Sequence, residues 1–329
     1  MSVGTDTVTM TRRQRRLSRP LLWLVCGGVT TGSLIALASR WHWFAELFSH
    51  FRLHYLLAQG VLFVVFLNTR RYAWLVATLL LSLPNAWYVL PYLAPLLPDS
   101  ETRAELSAAP ELVTVNLNYR NTDQARMLAY LQASDADVLV LSEFTPDWEL
   151  ALDQALADWP HRVLRPREDP FGLAVYAREP VEQVQRLRLG APGSENLRLL
   201  VQAGGQTVEL YAVHLFPPTT AWRAAARNQQ LDSLAQLLSR PAEHARLVTG
   251  DLNLTPFSPY FGDFLKASGF RDARLPEGLH VTWPTFALPL WIAIDHCLAA
   301  PELEVYSVRT GPNIGSDHFP LEIRLAAGN

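Results

Sequence analysis

Long apolar stretches separate the first third of the chain from the rest. They cover residues 20–39, 53–69 and 72–97, and neither the first nor the third contains a charged residue. About 20 apolar residues suffice to cross the hydrocarbon core of a bilayer as a helix. The pattern therefore predicts about three transmembrane helices. The second is the weakest, because it is short and contains Gln59.

Two of these stretches allow more than one interpretation. Pro84 lies inside the third stretch, and because proline lacks an N–H group, that helix is expected to end near Leu83 or to kink beyond it. Ala36-Leu37-Ala38 resembles the cleavage site of a secretory signal peptide. A retained anchor is favoured over cleavage after Ala38, because the first stretch is long and two further apolar segments follow it.

The distribution of arginine predicts the orientation of these helices. A basic segment at 1–19 precedes the first helix, Arg70 and Arg71 lie between the second and third, and the acidic sequence 99–101 follows the third. Because short basic segments remain in the cytoplasm, the N-terminus is predicted to be cytoplasmic. After three crossings the rest of the chain is predicted to be extracytoplasmic, joined to the cell (inner) membrane by a multi-pass region.

The pattern changes after residue 97. Residues 98–111 are rich in Ser, Ala and Glu and are expected to form a linker. Leu112–Leu117 and Asp137–Leu141 are aliphatic runs typical of buried strands. Between them, Asn121–Ser134 has helical spacing, with Thr122 as the expected N-cap. Two strands around one helix indicate an α/β domain.

This domain, predicted to cover 112–329, has many short strands and few helices. Thr220–Leu238 is the clearest helix, with a stripe of leucines opposite Arg and Gln residues. Further strands are predicted at Gly172–Ala177, Leu197–Val201, Thr207–Val213, Arg246–Thr249, Ala293–Leu298, Val305–Arg309 and Leu321–Arg324. Such a pattern favours two packed sheets with helices on the outside.

Charge and cysteine content narrow the classes of function. Residues 1–100 carry nine arginines against three carboxylates, whereas residues 101–329 carry 19 basic against 28 acidic residues. An acidic domain is a poor candidate for phosphate-driven binding of duplex nucleic acid, which depends on clustered basic side chains. Cys26 and Cys297 fall in different regions, so neither an internal disulfide nor a cysteine-rich zinc site is expected.

Side chains suited to catalysis follow the predicted strands. Six segments place acid, amide or imidazole groups directly after an apolar run, and these groups are Asn116, Glu143, His214, Asp251 with Asn253, Asp295 with His296, and Asp317 with His318. Loops at strand ends are where a rigid scaffold presents reactive groups. We expect these groups to converge at one rim of the domain.

Each segment by itself also has a purely structural interpretation. Asp251 and Asn253 pair a carboxylate with an amide, which suits a hydrated hard cation and a phosphoryl oxygen, but an isolated Asp-Leu-Asn is more often a capped turn. Asp295-His296 and Asp317-His318 each place a histidine beside a carboxylate, as in a general base. Taken singly, either is more often a loop cap or a structural metal ligand.

Together, however, the segments resemble the endonuclease/exonuclease/phosphatase superfamily. This group contains DNase I-like nucleases, abasic-site endonucleases, neutral sphingomyelinases and inositol polyphosphate phosphatases. The resemblance covers about 112–325, and five motifs occur in the family's order: Val113-Thr114-Val115-Asn116, Leu141-Ser142-Glu143, Gly250-Asp251-Leu252-Asn253, Ile294-Asp295 and Ser316-Asp317-His318. It implies a four-layer α/β/β/α sandwich that hydrolyses phosphate esters with an activated water.

The resemblance also implies a metal site. Mg²⁺ or Mn²⁺ would be held chiefly by Glu143, with help from Asn116 and Asp317. Asp251 would position the attacking water or bind a second metal ion. These roles match the need of phosphoryl transfer for a cation that neutralises charge.

The remaining motif residues would act on water and substrate. His318, oriented by Asp295, would be the general base. Asn253 would hold the phosphoryl oxygens, and His214 would lie against the phosphate or the leaving oxygen. Hydrogen bonds to the phosphoryl oxygens are a general requirement of this chemistry.

Other polar residues near the motifs carry less weight. His296 is interpreted as a support or a substrate-side residue, because the family usually has an aromatic residue at that position. Arg223, Arg227 and Asn228, on the helix after His214, are candidate substrate-binding residues. A solvated helix face is the favoured alternative for these three.

The sequence thus predicts a membrane-anchored, divalent-metal-dependent enzyme that hydrolyses a phosphodiester or phosphomonoester. Two substrate classes stay open, nucleic acid and a phospholipid or lipid-linked phosphate; the anchor favours lipid, whereas the many nucleases of the family favour nucleic acid. A catalytically silent sensor of phosphate ligands at the membrane is the alternative from another class. A binding module has no need of Asp295 and His318 together, which argues against it.

Overall fold

An N-terminal helical region packs against an α/β domain. Residues 12–93, 111–190 and 193–326 are described in the computed structural model of the chain. The helices of the first region are α1 (Arg12–Leu37), α2 (Trp43–Ser49), α3 (Arg52–Asn68) and α4 (Tyr72–Val89), followed by a 3₁₀ turn at Leu90–Tyr92.

Two segments of this region are long and apolar enough to cross a membrane, namely Pro20–Leu37 and Tyr72–Tyr92. Helices α2 and α3 meet the same criteria only as a pair, bent by 57° at the break between them. The described residues therefore contain two or three candidate spans. The predicted linker at 98–111 lies outside the described residues except for Glu111.

Pro84 does not end helix α4, which corresponds to the third apolar stretch of the sequence. Helix α4 continues through Pro84 to Val89, so of the two expectations, an end near Leu83 or a kink beyond it, the first is wrong. A proline removes one main-chain hydrogen bond, and apolar helices packed against neighbours tolerate that loss.

Buried polar side chains join α1, α3 and α4. Gln59 and Asn85 each donate a hydrogen bond to Ser33 Oγ at 3.1 Å, and Asn85 also donates to Gln59 Oε1 at 3.1 Å. Arg52 donates to Asn85 Oδ1 at 3.2 Å. Polar groups inside a helix bundle satisfy one another and hold the helices together. This network accounts for the polar Gln59 in the weakest apolar stretch.

The α/β domain contains two six-stranded sheets. In chain order its strands are β1 (Leu112–Asn116), β2 (Val138–Ser142), β3 (His161–Arg165), β4 (Leu173–Ala177), β5 (Glu182–Arg186), β6 (Leu197–Ala203), β7 (Gln206–His214), β8 (Ala245–Asp251), β9 (Arg271–Asp272), β10 (Asp295–Ala299), β11 (Val305–Thr310) and β12 (Leu321–Leu325). The first sheet has the order β11-β12-β1-β2-β4-β3, and the second has the order β5-β6-β7-β8-β10-β9.

Alternate strand residues point to opposite faces and build separate cores. Val138 and Val140 of β2 lie between the two sheets, whereas Leu139 and Leu141 face the helices outside the first sheet. Those helices are α5 (Ala125–Gln132) and α6 (Pro146–Ala155); α7 (Ala221–Leu238) and α8 (Pro259–Ser268) cover the second sheet. The layers form the predicted α/β/β/α sandwich.

Some local predictions were wrong. Thr122 does not cap α5, which begins at Ala125, because Asn121 Oδ1 accepts a hydrogen bond from the Asp123 N–H at 3.0 Å and forms a turn instead. Strand β5 was not predicted, since all five of its residues are exposed and leave no alternating pattern.

The strand pairing brings the motif segments to one edge. Parallel strands β1 and β2 place Asn116 beside Ser142, and parallel strands β7 and β8 place His214 beside Asp251. Antiparallel β10 begins at Asp295, directly opposite Asp251. Because parallel strands end at the same edge of a sheet, the polar groups that follow them share one rim.

Candidate active site

One cavity of about 380 Å³ contains most of the predicted site residues. Its lining includes six of the eight motif residues, namely Glu143, His214, Asp251, Asn253, Asp317 and His318. The other two lie directly behind it: Asn116 donates hydrogen bonds to Glu143 and Asp251, and Asp295 contacts His318. The structure therefore brings all eight residues together.

Unusual backbone conformations cluster at this cavity. Glu143 and Asn253 have φ values of +57° and +54°, and nearby Asn118 has +59°. Non-glycine residues seldom adopt this left-handed conformation, and such strain concentrates at functional sites. Gly250 has φ +129°, and a Cβ atom there would lie 2.0 Å from the Val213 carbonyl oxygen. Glycine is thus required for β7 and β8 to approach each other before Asp251.

His318 and Asp295 form a buried pair. His318 Nδ1 lies 2.8 Å from Asp295 Oδ2, so Nδ1 carries the proton and Nε2 faces the cavity, 3.9 Å from Asp251 Oδ2. Thr282 Oγ1 accepts a hydrogen bond from the Asp295 N–H at 3.2 Å and fixes the start of β10. A carboxylate that orients an imidazole in this way is the arrangement of a general base.

Burial and neighbouring charges shift the pKa values of His318 and Asp251 in this site. Burial lowers the pKa of His318, but the carboxylates of Asp295 and Asp251 outweigh burial and raise that pKa to about 10. Burial and the neighbouring charge of Asp295 raise the pKa of Asp251 well above its usual range. The site thus concentrates negative charge that a cation would offset.

Asn116 and Glu143 form the opposite wall. Asn116 Oδ1 accepts a hydrogen bond from the Asn118 N–H at 3.0 Å, so its Nδ2 faces the carboxylates, 3.1 Å from Glu143 Oε1 and 3.4 Å from Asp251 Oδ2. Glu143 Oε2 accepts from the Tyr119 N–H at 2.9 Å. In this arrangement Asn116 bridges two carboxylates through its amide nitrogen, and its oxygen points away from the cavity.

The donor set fits a hard divalent cation. Ligand atoms of Asp251, Asp295 and His318 all lie within 4.8 Å of one another, and Glu143 and Asp317 line the same cavity. Carboxylate oxygens with one imidazole suit Mg²⁺ or Mn²⁺. A divalent cation beside Asp251 would oppose both pKa shifts, because it stabilises carboxylates and repels imidazolium. This cluster of Asp251, Asp295 and His318 shares only Asp251 with the metal ligands predicted from sequence.

His214 and Asn253 lie on either side of Asp251. His214 Nε2 is 3.7 Å from Asp251 Oδ2, and burial lowers the pKa of His214. The Asn253 N–H donates to Asp251 Oδ1 at 2.7 Å, and Asn253 Nδ2 donates to the Leu215 carbonyl at 2.9 Å. One amide proton of Asn253 remains for another acceptor, as a phosphoryl contact requires.

The candidate substrate-binding residues of α7 lie outside the cavity lining. Arg227 is fully buried and forms an ion pair with Glu46 of α2, so the solvated-face interpretation is wrong for this residue. Arg223 and Asn228 are only partly exposed and do not line the cavity either. A charged side chain becomes buried when a partner of opposite charge is buried with it.

Of the two expected positions of His296, a support or the substrate side, the structure shows the support. Its Nδ1 lies 2.8 Å from the Arg274 guanidinium and its Nε2 lies 2.8 Å from the Leu254 carbonyl. Burial and the positive charge of Arg274 lower the pKa of His296 to about 3. It therefore supports the loop after Asp251 from behind.

Leu47, His50 and Phe171 line the cavity without having been predicted from sequence. Leu47 and His50 come from the helical region, and Phe171 comes from a loop without a polar motif. Trp283 also lines the cavity, and its Nε1–H donates to Asp317 Oδ2 at 3.2 Å. Apolar residues of a candidate span carry no sequence signal of catalysis, so only the packing reveals them.

A four-layer sandwich with a His–Asp pair and clustered carboxylates at one rim belongs to a class of phosphate-ester hydrolases. The chain is a member of the Endonuclease/Exonuclease/phosphatase family, whose pattern matches residues 113–318. Members of this family include nucleases and phosphatases. The match covers the whole set of motif residues.

Solved structures share the fold. The D. rerio TDP2 complexed with single strand DNA product has a TM-score of 0.54 and 18% identity, covering 64% of this chain and 96% of its own. A family protein from Leptotrichia buccalis C-1013-b has a TM-score of 0.53 and 16% identity, with 66% and 99% covered. One from Beutenbergia cavernae DSM 12333 has a TM-score of 0.51 and 21% identity, with 66% and 71% covered. No curated protein matched the sequence.

Proposed function

We propose that this protein is a membrane-anchored, divalent-metal-dependent hydrolase of phosphate esters. The buried His318–Asp295 pair carries the proposal, because the His318 Nε2 atom faces a cavity lined by Asp251 and Glu143. A silent phosphate sensor would need neither an oriented imidazole nor strained backbone at Glu143 and Asn253. These features favour catalysis over binding alone.

The proposed reaction is attack of water on phosphorus. His318 Nε2 takes a proton from the water as the water oxygen forms the new bond to phosphorus. The bond between phosphorus and the leaving oxygen breaks, and the leaving oxygen keeps the electron pair. Asp295 holds the imidazole tautomer and stabilises the imidazolium. Asn253 and His214 are placed to contact the phosphoryl and leaving oxygens. A divalent cation held by the carboxylates would neutralise phosphate charge and lower the pKa of bound water.

The direct test of the proposed hydrolase is whether its activity depends on a divalent metal ion. The full chain, purified in detergent, is expected to hydrolyse bis-p-nitrophenyl phosphate with Mg²⁺ or Mn²⁺, and EDTA should lower the rate at least tenfold, because the clustered carboxylates then repel the anionic substrate. Added metal should restore the rate. Release of p-nitrophenolate is the readout.

Glu143→Ala should reproduce most of the EDTA effect, whereas Glu182→Ala, on the exposed strand β5, should not. An enzyme indifferent to EDTA and to Glu143→Ala would contradict the metal site. A folded protein that hydrolyses no phosphate ester would favour the sensor.

We further propose that the N-terminus is cytoplasmic and the catalytic domain extracytoplasmic. The domain packs against one end of the helices, where Arg40 pairs with Asp263 and Tyr92 donates to Asp272. The turn with Arg70 and Arg71 joins α3 to α4 at their other end. Basic turns face the cytoplasm, which supports this orientation.

Alkaline phosphatase fused after residue 100 is expected to be active in a bacterial host, because the enzyme folds only after export. A fusion after Arg70 should be inactive. The reverse pattern would overturn the proposed orientation.

A further inference from the structure

The cavity has a polar half and an apolar half. Apart from the motif residues, its lining is mostly apolar and includes Leu47, Phe171, Pro217, Pro218, Trp283 and Ile292. Apolar walls beside a few convergent polar groups are typical of sites that bind an organic group in a fixed orientation. Hydrolysis at phosphorus involves only the polar half of the cavity. The apolar half therefore suits a different, apolar part of the substrate.

Part of this apolar half comes from the helical region. Leu47 of α2 and His50 just after it line the cavity together with the catalytic residues. Hydrogen bonds hold this helix on the loop that follows Asp251: His50 Nδ1 lies 3.1 Å from Thr255 Oγ1, and Ser258 Oγ donates to Glu46 Oε1 at 2.7 Å. The helical region that contains the candidate spans therefore also contributes a wall of the site.

The charges of the lining argue against a polynucleotide. No Lys or Arg occurs among the described residues that line the cavity. A nucleic-acid strand brings several phosphates, and proteins bind them with clustered basic side chains or charged grooves. The polar residues of this cavity could contact a single phosphate. The rest of the lining would place apolar side chains beside the groups attached to that phosphate.

Exposed apolar residues adjoin the cavity. Trp283 and Ile292 form a bridge that closes the loop 284–291, in which Phe286 is 76% and Leu288 is 65% exposed. Phe44 of α2 is 49% exposed as well. Because α2 and α3 form a candidate span only as a bent pair, Phe44 belongs to the apolar surface that a bilayer would cover.

We propose that the cavity binds the apolar tail of an amphiphilic phosphate ester, a membrane lipid or lipid-linked phosphate, with Leu47 of α2 against the tail. This proposal rests on the proposed hydrolase function and names its substrate class. Substrate would reach the cavity from the bilayer into which α1, α3 and α4 extend. The catalytic groups would act on its headgroup phosphate.

Two esters that differ only in their tail test the proposal. Dodecyl p-nitrophenyl phosphate and ethyl p-nitrophenyl phosphate both release p-nitrophenolate when water attacks phosphorus, so the chemistry is the same. The full chain in mixed detergent micelles is expected to prefer the dodecyl ester in kcat/KM. Leu47→Ser should lower the dodecyl/ethyl ratio about tenfold, since an apolar contact with the tail is lost.

Matched variants separate this contact from general effects. Leu57→Ser, on α3, also removes a leucine from the helical region, but Leu57 is 62% exposed and does not line the cavity; it should leave the ratio unchanged. Leu47→Met, which conserves volume, should keep most of the preference. Equal ratios in the parent, Leu47→Ser and Leu57→Ser would overturn the proposal.

Faster hydrolysis of a single-stranded oligonucleotide than of the dodecyl ester would also overturn it, in favour of a nuclease. Activity on the ethyl ester without preference for the tail would refute the lipid substrate and leave the hydrolase function intact. Hydrolysis of neither ester, in a protein that remains folded, would overturn both.

Discussion

Replacement of His318 by glutamine is expected to lower kcat for bis-p-nitrophenyl phosphate about 10²–10⁴-fold. The glutamine amide can still donate to Asp295, which lies 2.8 Å from the imidazole, so the buried carboxylate keeps a partner. What is lost is the basic nitrogen that faces the cavity. Steady-state kinetics with purified full chain give kcat, and thermal unfolding shows whether the fold survives.

His318→Ala should lose as much activity and also stability, because it leaves Asp295 buried without its partner. His161→Ala, on strand β3 and outside the cavity, should change neither. The proposed base would be excluded if His318→Gln retained the parent kcat, or if only KM changed, since loss of uniform binding raises KM alone.

Much of the candidate site could be predicted from sequence because several of its residues end or directly follow a strand. A buried strand is recognisable from its apolar run, and the first polar residue after it must lie at the sheet edge. Asn116 and His214 end β1 and β7 in this way. The order of the motifs along the chain, with Asp251, Asp295 and His318 in later segments, then indicated one family and one sandwich.

The docking of the helical region could not be predicted in the same way. The α7 sequence suggested a solvated face at Arg227, because a charged residue on a helix is exposed unless a partner is buried with it. The partner, Glu46, is 181 positions away in sequence. Local periodicity holds no information about such a pair.

The Glu46–Arg227 pair is expected to be the strongest electrostatic link between the two regions. Arg227 Nη2 lies 2.7 and 2.5 Å from the two carboxylate oxygens of Glu46, and neither side chain is exposed. Arg227 also donates to the Asn253 carbonyl at 3.1 Å. The same guanidinium thus binds helix α2 of the helical region and the loop that carries a predicted catalytic residue.

Arg227→Met should lower the free energy of unfolding by about 3–5 kcal/mol, because it leaves the Glu46 carboxylate buried without a counter-charge. It should also lower kcat, since the Asn253 loop loses a donor. The double variant Glu46→Met/Arg227→Met should recover most of the stability, because two apolar side chains replace two buried charges, but should not recover kcat. Denaturant unfolding of the full chain gives the double-mutant cycle.

Arg40→Ala is the matched control: it breaks the Arg40–Asp263 pair between the same two regions, but both side chains are about half exposed, so it should cost about 1 kcal/mol or less. If Arg227→Met costs no more than Arg40→Ala, the pair does not join the regions. A clear excess would mean that the helical region and the catalytic loop are stabilised by one shared contact.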